Sequence, residues 1–468
     1  MDVRNKSVFE LSKVLEFEND RRLYRYIIPK TEIPLWPMVR VSAMNFWGLS
    51  RKEYEYFIPK PVYQHEHLDE ELTVRNPYNS QSKSILYSFF RNYTMMRDKN
   101  GRIYEDKFFG FLNEFKEDST VLIQFDYEDN FDFKCDYPDW KSSHAMDMEV
   151  QKKADGEIDG RGIREFIDFL KQNAPYKMPR DLCRIITKLA YNIEKEMTTY
   201  IAEYEKYLEI IKPKIAIVYW AHYLEIRSVA FIQACRKRGI LTAEIQPALY
   251  NKNIFGCNFG DYIIHNERCK RLFPDYILTR GVYWNKYIKS PSIPYVIGTP
   301  YLDNIHAVSN KNILFTVGAE FDQYENFLDS ISFSDCDFKI YFRLHPGRVT
   351  KEILAKFSKF EKYSNFEFAN DKSFTHYLSF CNFVISDGGT VIYEALSVGR
   401  IVFALDTNQF KKNGPHEFND VHVFSDADTF LKLWELHKND MPIRHTEIYE
   451  LDWKEKYAQF MKVAGVID

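Results

Sequence analysis

The segment from Phe380 to Asp406 constrains the fold of this chain more than any other part of it. An apolar run, Phe383–Ile385, is followed by Ser-Asp-Gly-Gly-Thr at 386–390, by a stretch with helical spacing of its apolar residues, and by a second apolar run at 401–405. This order predicts a strand, a tight turn, a helix and a second strand. Because such a βαβ unit belongs to a parallel sheet, the segment predicts an α/β protein.

The turn in this segment has the chemistry of an anion site. The first N–H groups of a helix have no partners within the helix, and Gly388 and Gly389 allow a phosphate to approach the backbone closely. Glu394 lies one helical turn beyond Thr390, so it can face the same crevice. A sugar nucleotide carries a diphosphate and adjacent hydroxyls, which are the groups that these residues would bind. A glycine turn also occurs in βα units with a purely structural role, and that alternative stays open.

Apolar runs alternate with helical patterns in two separate stretches of the chain. IAIVYW at 215–220 begins a strand–helix–strand unit in the first half, and NILFTVG at 312–318 begins another in the second half. We therefore predict two Rossmann-like, doubly wound α/β domains that face a cleft and are joined near 300–311. Ligands of such sheets bind beyond the carboxyl ends of the strands. The first half also contains a predicted helix at Tyr104–Phe115 and a predicted strand at Tyr262–His265.

The predicted organisation has four parts. Repeated prolines indicate a partly helical N-terminal extension, and a polar, aromatic stretch indicates a long loop or insertion in the first domain. The predicted parts are the extension at 1–80, an N-terminal Rossmann-like domain at 81–304 with the insertion at about 130–160, a C-terminal Rossmann-like domain at 305–440, and a C-terminal helix at 441–468 that can cross back to the N-terminal domain.

Composition disfavours several classes of protein. The net charge of −4, with basic residues interspersed among acidic ones, argues against nucleic acid as a partner. No window of about twenty apolar residues occurs, and the N-terminus lacks the apolar core of a signal peptide, so we expect a cytoplasmic protein. The seven cysteines include no Cys-x-x-Cys pair, which argues against zinc or a disulfide framework. Trp36, Phe46 and Trp47, with Arg40, Arg51 and Lys52, fit either a peripheral membrane patch or packing against the domain.

Five segments occur in a recognisable order. They are TAEIQPA at 242–248, FPDYILTRGVYW at 273–284, YVIGTPYLD at 295–303, YFRLHPGR at 341–348 and SDGGTVIYEAL at 386–396. On these segments the chain resembles the GT-B glycosyltransferases, most closely the bacterial capsule, surface-polysaccharide and teichoic-acid polymer enzymes. The resemblance implies a GT-B architecture whose C-terminal domain holds the sugar nucleotide.

The resemblance also implies roles for individual residues. His345, in a basic-His-Pro element, would lie at the cleft near the diphosphate, and Glu394 would accept hydrogen bonds from ribose or sugar hydroxyls. The glycine turn would supply amides and a hydroxyl to the phosphates. The predicted donor-binding residues are Gly318, Arg343, Arg348, Ser386, Asp387, Gly388, Gly389, Thr390 and Glu394.

Glycosyl transfer from such a donor sets clear chemical needs. Displacing a nucleoside diphosphate builds negative charge on the leaving phosphate, which cations and a helix N-terminus can stabilise. Because the residues implied above fit that task, we expect neither a metal ion nor another cofactor. A base that takes the acceptor's proton would come from the N-terminal domain, where Asp126 and Glu128 follow one strand and His222 and Glu225 follow another. The predicted catalytic residues are His345, Asp126 and His222.

Two departures from the family pattern affect the expected mechanism. Relatives commonly continue the strand that corresponds to TAEIQ with His-Gly, whereas this chain has Pro247 and Ala248. The Glu-x7-Glu pattern of many retaining enzymes is absent, because Ser386 stands eight positions before Glu394. The stereochemical outcome therefore stays open, with inversion favoured.

The resemblance implies a transferase that moves a sugar from a nucleotide-sugar donor to a surface polysaccharide or lipid-linked glycan. A lipid-linked acceptor would bring the enzyme to the inner face of the cytoplasmic membrane as a peripheral protein. Two alternatives keep the fold and change the reaction, namely a sugar-nucleotide 2-epimerase and a polyol-phosphate polymer transferase. The missing His-Gly favours a third alternative, a non-catalytic GT-B partner in polysaccharide assembly.

Overall fold

Two parallel β-sheets with helices around them form the architecture. The computed structural model describes residues 9–48, 68–90, 95–97, 103–106, 108–124, 139–318, 321–345 and 350–468. We call the seven-stranded sheet and the elements packed on it lobe 1, and the six-stranded sheet and its elements lobe 2. Each sheet has an apolar cluster on both faces. The predicted fold class, two Rossmann-like α/β domains in a GT-B arrangement, is confirmed.

The strands of both sheets are short apolar runs, as expected for strands that are buried on both faces. Lobe 1 has the order β5-β4-β1-β6-β7-β8-β9, and lobe 2 has the order β12-β11-β10-β13-β14-β15, with β2 and β3 forming a separate antiparallel pair. The strands are β1 Ile85–Phe90, β2 Met95–Arg97, β3 Ile103–Asp106, β4 Ser119–Gln124, β5 Trp140–Ser142, β6 Ile215–Val218, β7 Leu241–Ile245, β8 Tyr276–Thr279, β9 Ile293–Val296, β10 Asn312–Val317, β11 Lys339–Leu344, β12 Phe366–Phe368, β13 Phe383–Ser386, β14 Ile401–Leu405 and β15 Val421–Phe424.

Helices connect the parallel strands and cover the sheets. None of the described helices combines the length and the apolar character that a bilayer crossing requires. The helices are α1 Leu11–Phe17, α2 Leu35–Gly48, α3 Leu68–Thr73, α4 Phe109–Glu114, α5 His144–Lys153, α6 Gly160–Asn173, α7 Arg180–Ile211, α8 Ile226–Lys237, α9 Asp261–His265, α10 Glu267–Lys270, α11 Phe321–Asp329, α12 Lys351–Ser358, α13 Phe374–Phe380, α14 Thr390–Ser397, α15 Asn408–Asn413, α16 Ala427–His437 and α17 Trp453–Val463.

The N-terminal helices α1 and α2 pack into the core of lobe 1. Trp36 and Arg40 are fully buried there, and Trp47 donates a hydrogen bond from Nε1 to the Lys177 carbonyl oxygen at 3.2 Å. Trp36 and Arg40 therefore pack inside lobe 1, whereas Phe46 and Trp47 are half-buried, so a peripheral membrane patch there stays a prediction. Arg51 and Lys52 lie outside the described residues.

Three local predictions are wrong. The stretch predicted as a loop at about 130–160 contains β5, which pairs with β4 as an edge strand, and α5, which packs on α7. The predicted helix at Tyr104–Phe115 consists of the strand β3 followed by the shorter helix α4. The predicted strand at Tyr262–His265 is the helix α9, because Gly260 is extended and starts a helical turn that buries Ile263.

Contacts across the lobes show that the carboxyl ends of the two sheets face each other. Tyr301, shortly after β9, donates a hydrogen bond from its hydroxyl to Glu394 Oε1 on α14, at 2.5 Å. Trp284, which follows β8, packs with Tyr393 at a ring-centroid distance of 5.0 Å. The loops that follow the strands of lobe 1 therefore meet the first turns of helices in lobe 2.

Gly298 fixes the last helix, α17, against lobe 1. Its φ of +76° is left-handed, and a Cβ atom there would lie 2.8 Å from the Glu450 carbonyl oxygen and from Trp453. We expect Gly298→Ala to destabilise the protein more than Gly239→Ala, by about 1–3 kcal/mol in the free energy of unfolding, through this clash. Gly239 is the matched control because its φ is +67° and a Cβ atom there would contact nothing within 4 Å. Urea unfolding measures both variants, and equal losses would contradict the expectation.

Candidate functional site

Three strand ends of lobe 2 bring most of the predicted donor-binding residues together. Gly318 follows β10, His345 follows β11, and residues 386–390 join β13 to α14; these three strands are neighbours in the sheet. A Cβ atom at Gly318 would lie 3.2 Å from Asp387 Oδ1, so glycine leaves room for this carboxylate. His345 donates its backbone N–H to the Val317 carbonyl oxygen at 3.1 Å, and its side chain is exposed.

The first turn of α14 is the part of this edge best suited to an anion. Gly388 has a φ of +106°, and a Cβ atom there would lie 2.9 Å from Phe410 Cα, so this position requires glycine. Gly389 precedes Thr390, has an ordinary φ of −77°, and would place a Cβ atom in open space. The helix N-terminus behind it presents N–H groups and the positive end of the helix dipole. A phosphate can therefore reach these amides over Gly389.

Side chains at the base of the turn are buried and hold it in place. Thr316 Oγ1 of β10 donates a hydrogen bond to Ser386 Oγ of β13 at 2.9 Å. Asp387 is buried beside Gly318. The sequence-predicted Ser386 and Asp387 thus shape the turn, while Gly389 and Thr390 form its accessible surface.

Glu394 lies at the contact between the two lobes. It is buried and accepts the hydrogen bond from the Tyr301 hydroxyl. Burial, and then the charge of Glu394, raise the pKa of Tyr301 well above its ordinary value, so this hydroxyl stays protonated and donates. The Arg280 guanidinium lies 5.5 Å from the centroid of the Tyr301 ring. Glu394 is therefore a carboxylate at the lobe junction, one helical turn from the open end of α14.

Arg280, Tyr301 and Tyr449 belong to this junction, and the sequence analysis assigned them no role. Arg280 is buried and directly follows β8, within the segment FPDYILTRGVYW. Burial and the charge of Glu394 also raise the pKa of Tyr449 well above its ordinary value. A basic residue at the carboxyl end of a predicted strand is the signal that could have identified Arg280.

Arg343 has a different environment from His345. Its Nη1 donates hydrogen bonds to the carbonyl oxygens of Ala369 and Lys372, at 2.6 and 2.8 Å, and the side chain is buried. These contacts hold the loop that follows β12 against β11. Arg348 and Asp126 lie outside the described residues, so their predicted roles stay predictions.

His222 is held inside lobe 1. It occupies a short turn after β6 between Trp220 and Leu224, whose φ values of 60° and 55° are left-handed and strained for such side chains. Its Nδ1 hydrogen bonds to Glu244, and its Nε2 lies 2.8 Å from Ser290 Oγ. With 1% of its surface exposed, the ring has a fixed orientation. These partners all belong to lobe 1, so the role of His222 as a base stays a prediction.

The Glu244–His222–Ser290 arrangement can move or hold a proton. A carboxylate on one imidazole nitrogen fixes the tautomer and the orientation of the ring, while the other nitrogen exchanges a proton with a hydroxyl. Ser290 is half-buried, so it is the member of the three nearest to solvent. The buried Ser292 Oγ lies 3.2 Å from the same Nε2, so Ser290 must move before a substrate can contact His222, and Ser292 would stay beside it.

Several solved structures show a distant likeness to the fold of this chain. No protein-family model and no curated protein matches the chain. UDP-GlcNAc 2-epimerase from Methanocaldococcus jannaschii is 12% identical with a TM-score of 0.48, over 82% of this chain and 100% of that one. UDP-GlcNAc 2-epimerase from Neisseria meningitidis, bound to UDP-GlcNAc, is 14% identical with a TM-score of 0.44, over 81% of this chain and 98% of that one. The calicheamicin glycosyltransferase CalG4 is 9% identical with a TM-score of 0.45, over 82% of this chain and 96% of that one. At these identities the likeness of all three structures concerns the fold alone.

Proposed function

We propose that this chain is a nucleotide-sugar enzyme that transfers the sugar to a surface-polysaccharide or lipid-linked glycan acceptor. The observation that supports this most is the open space over Gly389 at the N-terminus of α14, on the edge of lobe 2 that faces lobe 1. A diphosphate fits the helix amides, and its sugar or ribose hydroxyls fit the nearby carboxylate of Glu394. The acceptor would enter from lobe 1, and a lipid-linked acceptor would make the enzyme a cytoplasmic, peripheral membrane protein.

In this proposal the donor is activated by stabilising its leaving group. Negative charge on the departing diphosphate would meet the amides of the α14 turn, the Thr390 hydroxyl and, when protonated, the His345 imidazole. These groups carry the charge without requiring a metal ion. Displacement from the face opposite the diphosphate would invert the anomeric carbon, and a base on lobe 1 would take the acceptor's proton. Asp126 and His222, the latter acting through Ser290, are the proposed bases.

Gly389→Ala tests the donor site with little effect on folding. Because φ at Gly389 is ordinary and a Cβ atom would meet open space, we expect unchanged thermal stability. The added methyl group would occupy the approach of the phosphate, and we expect roughly 5- to 150-fold weaker binding, the equivalent of an overpacking cost of about 1–3 kcal/mol. A thermal-shift panel of UDP, GDP, CMP and dTDP sugars identifies the donor, and calorimetry measures its affinity for both proteins. Equal affinities would contradict phosphate binding at this turn.

Incubation of the protein with the identified nucleotide sugar alone distinguishes the candidate reactions. A transferase leaves the sugar unchanged until a glycan acceptor is added, whereas a 2-epimerase forms the C2 epimer without any acceptor. Epimer formation would contradict the proposed transfer reaction, but it would be consistent with the proposed donor site. Tight donor binding without turnover across a panel of acceptors would instead support a non-catalytic partner in polysaccharide assembly. The remaining alternative requires a different donor, and transfer of a polyol phosphate from a nucleotide-activated polyol would identify it.

A further inference from the structure

Two histidines and an aspartate gather at the far edge of lobe 2. His422 is on the edge strand β15, His437 is the last residue of α16, and Asp440 is on the turn that follows. Their potential ligand atoms all lie within 4.8 Å of one another, and Asp440 Oδ2 is 2.7 Å from His437 Nδ1. The two imidazole rings stack with centroids 3.7 Å apart. Strand β14 separates β15 from β13, so this cluster is distinct from the α14 turn.

We propose that His422, His437 and Asp440 bind a divalent transition-metal ion, with Zn²⁺ as the reference ion. Two imidazole nitrogens and one carboxylate oxygen, completed by water, are a donor set that suits four-coordinate zinc. The metal would connect β15 to the end of α16 and stabilise lobe 2. It has no part in the proposed glycosyl transfer.

The cluster can contract around an ion with small side-chain movements. Ligand distances of about 2.0–2.2 Å in a tetrahedral site bring neighbouring ligand atoms to roughly 3.3–3.5 Å. The side chains of His437 and Asp440 are 27% and 51% exposed, so they have room to rotate. Rotation about their side-chain bonds would tilt the stacked rings until both nitrogens point to one centre.

The local charges also favour a cation. The carboxylates of Asp440 and Asp420 add negative charge, and Asp420 is 2.9 Å from His445 Nε2. Lys438, which lies between His437 and Asp440 in the chain, is engaged by Asp337 and Glu435. A cation would therefore meet the carboxylates of Asp440 and Asp420 beside the two imidazole rings.

Zinc titration of the full chain tests this site. After removal of any purification tag and treatment with a chelator, calorimetry with ZnCl₂ at pH 7.5 is expected to show one bound ion and a rise in melting temperature. Co²⁺ in place of Zn²⁺ should give visible absorption bands of a nitrogen-containing site. His437→Ala and His422→Ala should weaken Zn²⁺ binding by at least about tenfold, a lower bound taken from losses of supporting residues at metal sites.

His376→Ala is the matched control, because His376 is an exposed histidine of lobe 2 outside the cluster. It should bind Zn²⁺ as the wild type does. The proposal is wrong if the wild type binds no stoichiometric Zn²⁺, or if the cluster variants, folded by circular dichroism, bind it as tightly as the control. Donor binding at the α14 turn should be unchanged in all three variants, which keeps this test separate from that of the proposed function.

Discussion

Arg40→Met is expected to lower the free energy of unfolding by about 3–5 kcal/mol, because it leaves a buried carboxylate without its charge partner. Arg40 and Glu18 are both fully buried and form an ion pair. Arg40 also donates to the carbonyl oxygens of Phe255 and Asn258, at 2.8 and 2.6 Å. The Gly260 N–H donates to Glu18 Oε2 at 2.8 Å. This network joins the N-terminal helices to the segment that precedes α9.

Urea unfolding followed by tryptophan fluorescence measures the loss, since Trp36 packs in the same core. The double variant Glu18→Leu, Arg40→Met should regain part of the stability, because no unpaired charge remains buried. Arg22→Met is the surface control: its guanidinium pairs with Asp20 but is 56% exposed, so little change is expected. An Arg40→Met protein as stable as the Arg22→Met protein would show that the buried pair does not hold the N-terminal helices in place.

Glu394→Ala is expected to weaken binding of the nucleotide sugar by at least about 100-fold. Two adjacent hydroxyls of a ribose or hexose would each donate to the carboxylate, and a hydrogen bond to a charged group contributes about 1.5–3 kcal/mol. Calorimetry with the donor from the thermal-shift panel measures the dissociation constant. The melting temperature of the variant reports whether the fold is kept.

Tyr301→Phe is the matched control for that measurement. It removes the same internal hydrogen bond from the Tyr301 hydroxyl to Glu394 and leaves the carboxylate in place. We expect its effect on donor affinity to be much smaller than that of Glu394→Ala. If both variants weaken binding equally, Glu394 acts only by holding the two lobes together. If a folded Glu394→Ala protein binds the donor normally, the assigned role is wrong.

The α14 turn was predictable because local chemistry determines it. Two glycines between the apolar runs of β13 and β14 allow few structures other than a strand–turn–helix, and one of them, Gly388, adopts a φ that favours glycine. The adjacency of Gly318 and His345 to that turn followed from the topology of parallel sheets, in which carboxyl ends share one edge.

Elements that depend on distant partners were not predictable. Residues 140–142 form a strand because they pair with 121–123, and the polar sequence of the segment gives no sign of that partner. The apolar run at 262–265 is too short to distinguish a strand from one turn of helix. The contact between Tyr301 and Glu394 joins residues 93 positions apart and requires the relative placement of two lobes, which no local pattern contains.

A crystal structure of the complex with the nucleotide sugar selected by the thermal-shift panel tests the central claim most directly. We predict that diphosphate oxygens lie within hydrogen-bond distance, about 2.7–3.2 Å, of the backbone N–H groups of Gly389 and Thr390. The sugar or ribose hydroxyls should contact Glu394. A nucleotide bound elsewhere, with the first turn of α14 unoccupied, would contradict the account.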